Sequence, residues 1–171
     1  MENFLIKEIL GNSMQDYACF ILAILLGLIF KKLITKYLSH LLFKIIRTEN
    51  THVGINKFDE LLTKPIGLFI MLSIIYLGSS YIQYPPEWNL VNENEIGIRM
   101  LISKGFSLIF IYSILWILLK MIDFAGLILL KRAELTENKM DDQLIPFIKE
   151  IGKIFIYIFG IFIIMGNIFH V

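Results

Sequence analysis

Residues 138–171 read NKMDDQLIPFIKEIGKIFIYIFGIFIIMGNIFHV. A polar, acidic lead-in passes through Pro146 to Lys149, Glu150 and Lys153, and about fifteen residues with almost no polarity follow. That is close to the length one bilayer crossing needs. An earlier stretch has the same shape: Asn56-Lys57-Phe58-Asp59-Glu60-Leu61-Leu62, then Pro65, then another apolar run. The two stretches decide the class, an all-α integral membrane protein.

Composition agrees. The 171 residues are 57% hydrophobic and 18% charged, with a mean hydropathy of +0.71, where a soluble domain is nearer half apolar and a quarter charged. The net charge of +1 projects no global field toward nucleic acid. The lone Cys19 lies inside an apolar block, has no intrachain partner, and reads as a small apolar filler. Glu2, Lys7, Glu8 and Asp16 make no basic leader, so the sequence is read as lacking a cleavable signal peptide.

Outward from the deciding stretch, the periodicity predicts four transmembrane helices as two helical hairpins. Residues 1–16 form an N-terminal segment in which Phe4, Leu5, Ile9 and Leu10 suit one side of a short interfacial helix or a frayed end. The first hairpin occupies 17–84, with spans at about 17–47 and 58–84. An external loop at 85–97 follows Pro85-Pro86, and the second hairpin occupies 98–171, with spans at about 98–132 and 144–168. The strictly apolar parts of the first and third spans are short for a crossing. Each helix is therefore expected to continue into charged sequence as a long, tilted rod.

Thirteen of the sixteen basic residues fall between 31 and 64 or between 120 and 153. The positive-inside rule then places both basic connections in the cytoplasm, and both termini and the 85–97 loop outside. Lys31, Lys32, Lys36, Lys44 and Arg47 before the first turn, and Lys131 and Arg132 before the second, can snorkel to lipid headgroups or serve only as topology determinants. Lys120 and Asp123 stand three apart on one helix face. They form a candidate intramembrane pair, since a lone carboxylate at mid-bilayer costs about 2.5–3.5 kcal/mol.

The two lead-ins align at a constant offset of 82 residues, matching Asp59 and Glu60 to Asp141 and Asp142, with Pro65 and Pro146 each in the early turns that follow. The acidic residues complement the positive end of a helix dipole, and an early proline is tolerated there. The match reads as a repeated hairpin, although acidic starts and basic turns are common in membrane proteins. No catalytic constellation, phosphate loop or metal-ligand spacing accompanies it: His40, His52 and His170 are dispersed, and no cofactor is expected.

With its apolar run ending Met165-Gly166-Asn167, MDDQLIPFIKEIGK at 140–153 resembles the small-conductance mechanosensitive channel (MscS) family, in which a similar lead-in precedes the span before the pore helix. KFDELLTKPIG at 57–67 looks like the corresponding earlier lead-in of members with extra N-terminal spans. The resemblance implies a bacterial inner-membrane protein, homo-heptameric if the pore region is present. In that family peripheral helices contact lipid, a Gly/Ala-rich helix lines the pore, and a cytoplasmic domain follows. No such pore helix or cytoplasmic domain is present in these 171 residues. The expectation is the lipid-contacting, tension-sensing membrane region of such a channel, as a partial chain unable to conduct alone. The alternative is a standalone multi-span membrane protein that binds partner helices or anionic lipid.

Overall fold

The computed structural model describes residues 8–9, 11–46, 55–79, 97–133 and 139–169, apart from the side chains of 8, 39, 42, 45, 46, 55, 132, 139–143, 168 and 169. Two short antiparallel strands, β1 (Glu8–Ile9) and β2 (Asn12–Ser13), precede four long helices: α1 (Met14–Ile46), α2 (Ile55–Ser79), α3 (Ile98–Ala133) and α4 (Lys139–Phe169). Three of these contain a stretch long and apolar enough to cross a membrane, at Met14–Leu38, Asn56–Ser79 and Ile98–Lys131. The apolar run of α4 begins only after Lys153 and ends before the polar Asn167. At 1.5 Å per residue it covers roughly 20 Å of a hydrocarbon core of about 30 Å.

The start of α1 corrects the reading of the N-terminal segment. Ile9 lies in a strand, and Gly11, at φ 78°, turns the chain back through the left-handed region that favours glycine. Phe4, Leu5 and Leu10 lie outside the described residues. Ser13 then caps the helix: its Oγ accepts from the Asp16 amide at 3.2 Å, while Asp16 Oδ2 accepts from the Ser13 amide at 2.9 Å. The serine hydroxyl also donates to that carboxylate at 2.7 Å. This is a reciprocal capping box that satisfies two amides at the helix end. Ser13→Ala should cost about 1 kcal/mol, seen as faster amide exchange confined to the first turn of α1.

Each helix packs along the next in the opposite chain sense. Gly27 of α1 meets Ile74 of α2, while Gly78 meets Phe20 and Ile24 nearer the start of α1. Phe58 and Phe69 of α2 meet Phe124 and Phe110 of α3. Gly126, Gly152 and Gly160 face Lys149, Ile122 and Leu115 across the α3–α4 seam. At Gly160 a Cβ would lie 2.5 Å from Leu115 Cδ1, so the missing side chain allows this close approach.

The core sits where α1, α2 and α3 converge. Phe43, Phe58 and Phe124 form an aromatic triad with ring centroids 4.7–6.0 Å apart, surrounded by buried Leu62, Ile66, Ile70 and Ile128. Edge-on contacts of this kind are favoured by the ring quadrupoles. Phe69, Phe110, Phe106 and Tyr76 continue the α2–α3 seam as a chain of ring contacts.

The 82-residue offset aligns the lead-ins but not the helix pairing. Carried across by 82, the Gly27–Ile74 contact would fall on 109 and 156. Position 156 instead lies between Gly152, which meets Ile122, and Gly160, which meets Leu115. The second pair is slipped by between two and three helical turns along α3. The match of the two lead-ins therefore does not extend to the register in which each helix meets the one before it.

Candidate functional site

The lead-in residues do not all sit at a helix end. Because α2 begins at Ile55, its first turn contains no acidic residue, and Asp59 and Glu60 fall in the second turn, beyond the strongest dipole effect. Glu60 accepts a 2.8 Å ion pair from Lys57, while half-buried Asp59 faces a cleft. Pro65 stands inside α2, in its third turn and fully buried; it is not at the helix start, where a missing amide costs least. Pro146 is likewise inside α4, and half-buried.

The cleft, of about 630 Å³, runs between α1 and α2. Helical spacing brings Leu28, Lys31, Lys32, Thr35 and Lys36 to one face of α1, opposite Asp59, Thr63, Lys64, Gly67 and Leu68 of α2. It therefore gathers four lysines and one carboxylate. Among the described residues none of the four lysines has an ion pair. Thr35 is 5% exposed, and its hydroxyl has no hydrogen-bond partner. Lys31 reaches across α2 over Gly67, where a Cβ would stand 3.3 Å from Lys31 Cε.

A second cluster ties α3 to α4. The expected neighbours Lys120 and Asp123 are 3.2 Å apart, Nζ to Oδ2. Asp123 Oδ1 also receives Lys153 at 2.8 Å and lies 3.9 Å from Lys149 Nζ, both on α4. Lys153 in turn reaches Glu150 at 3.1 Å. Three cations and two carboxylates thus share a network in which Asp123 carries the contacts between helices. The i,i+3 half of it follows from sequence spacing; the α4 half depends on the glycine-set register of the seam.

The other singled-out cations are dispersed. Lys44 is exposed in the last turn of α1 and Lys131 is exposed near the end of α3, neither lining the cleft. Arg47 and the side chains of Arg132, Asp141 and Asp142 lie outside the described residues, as do the three connections at 47–54, 80–96 and 134–138. Sequence reasoning missed Thr35 and Gly67, and treated Lys64, Lys149 and Lys153 only as topology signals. Among the described residues no group of three or more His, Cys, Asp or Glu side chains is placed to hold a metal ion. Against known proteins, no family model, no curated protein and no solved structure matches the chain.

Proposed function

We propose that this chain is a lipid-embedded unit of four crossing helices, arranged as two helix pairs with both termini outside, and that it reports on the bilayer around it. The outward surface of α4 carries this reading. Phe147, Ile154, Phe155, Ile158, Phe159 and Phe162 are all exposed, and α1 adds Ile21, Leu22, Leu25, Ile29 and Leu33. Apolar surface of this extent is a liability in water and ordinary in lipid. The Asp123 network makes the fourth crossing feasible, because Lys149, Glu150 and Lys153 of α4 are partnered and can sit near the headgroup layer.

Within that frame, α1 and α4 act as the peripheral, tension-sensing helices of a mechanosensitive channel, in a ring of identical subunits. The support is the resemblance at 57–67 and 140–167, together with the lipid-facing surfaces of these two helices. Tension favours whichever arrangement occupies more membrane area, and acts only through such a difference between states. A spin label on Cys19 of α1 and another at Ile163→Cys of α4 test this in liposomes. Thinning or stretching the bilayer should shift the distance distribution. An unchanged distribution would remove the tension-sensing reading and leave the membrane reading standing.

A second reading, lipid recognition, is favoured by the lysine cleft. There four cations face one carboxylate within or beside predicted crossing segments.

A further inference from the structure

We propose that the α1–α2 cleft binds an anionic phosphate group, supplied by a phospholipid headgroup or as free phosphate, on Lys31, Lys32, Lys36, Lys64 and the Thr35 hydroxyl. The lipid source rests on the membrane reading above; the phosphate chemistry does not.

Charge comes first. Lys31, Lys32 and Lys36 belong to Met14–Leu38, a stretch apolar enough to cross a membrane. Cations in or beside a crossing segment ordinarily pair with acidic side chains or with backbone carbonyls, and these have no ion pair among the described residues. Asp59, the one carboxylate lining the cleft, offsets a single charge and leaves three in excess. The neighbouring carboxylate, Glu60, is taken up by Lys57. A phosphate oxygen cluster supplies the missing negative charge and several acceptors at once.

The second observation is independent of charge. Ser73 and Ser113 donate to carbonyls of their own helices, at Phe69 and Phe110. Thr35 makes no such bond, although it is 5% exposed. A buried hydroxyl without a partner is unfavourable, so this one is explained by an acceptor that enters the cleft it lines. The cleft also has an apolar end at Leu28 and Leu68, matched to a glycerol backbone and the first methylenes of acyl chains.

The test uses the purified full chain in neutral detergent, with phosphatidylglycerol, phosphatidylcholine and inorganic phosphate as separate probes. Phosphatidylglycerol should bind at least about tenfold tighter than phosphatidylcholine. Thr35→Val should weaken that binding about tenfold, and Lys31→Gln with Lys36→Gln should remove the preference, whereas Lys131→Gln should leave it intact. Without ligand, Thr35→Val should melt at or above the wild-type temperature, which separates lost binding from lost folding. Should inorganic phosphate alone raise the melting temperature of the wild type but not of the lysine variant, the ligand is free phosphate. If the two lipids bind alike and phosphate shifts nothing, or if the variants bind like wild type, the proposal is overturned. Failure of the membrane reading shows separately, as a chain that does not float with vesicles of either lipid.

Discussion

Phe58→Ala should destabilise the protein by about 3 kcal/mol, toward the lower end of the 3–5 kcal/mol typical of a buried phenylalanine. Phe58 is 0% exposed, and its ring centroid is 4.7 Å from Phe124 and 5.6 Å from Phe43. It therefore holds α1, α2 and α3 to one another. The cavity would be lined by residues from three helices, so no single side-chain rotation refills it. The lower figure follows from the solvent: between lipid-embedded helices, association draws on packing and not on escape from water. Phe155→Ala, on the exposed face of α4, should change stability by less than about 0.5 kcal/mol. An unfolding titration from mild detergent into dodecyl sulfate reads both. Equal losses for the two variants would mean that the triad is not the core.

The second large effect belongs to Asp123→Leu, expected to cost about 3 kcal/mol. Removing the shared partner of a partly buried ionic network leaves Lys120 without its carboxylate and Lys153 with only the exposed Glu150, which is worse than never having had the network. Asp123 is the partner of Lys153 at 2.8 Å and of Lys120 at 3.2 Å, with side chains about one-fifth to one-third exposed. Lys153→Leu alone should cost less, because Lys120 still compensates the carboxylate. The double variant Asp123→Leu with Lys153→Leu should recover part of the loss, and the non-additivity measures the coupling across the α3–α4 seam. Strict additivity in the same titration would show that the two side chains do not interact.

The long helices were legible because each is marked by apolar length and by a basic end, as at Lys36 to Lys44, and neither signal needs tertiary information. Their partners were less so. The Lys120–Asp123 pair can be read from spacing along one helix, but the arrival of Lys149 and Lys153 depends on the height at which α4 lies against α3. That height is set by Gly126, Gly152 and Gly160 against particular side chains. The same limit explains the repeat. A matching lead-in constrains α2 and α4 locally and says nothing of the register against the preceding helix, which proved slipped. Thr35 is the clearest omission. Among lysines on a helix it resembles a surface residue, and only the geometry reveals a buried hydroxyl without an acceptor. The Ser13–Asp16 cap, by contrast, has a local signature, Ser-x-x-Asp ahead of an apolar run.

Four crossings are the central claim, and α4 is where it is most exposed to test. Single cysteines placed at 50, 92, 138 and 171, in a Cys19→Ser background within sealed, oriented vesicles, can be probed with a membrane-impermeant thiol reagent. The account predicts that 50 and 138 label from one side and 92 and 171 from the other. Labelling of 171 from the same side as 138 would contradict it, because α4 would then not cross.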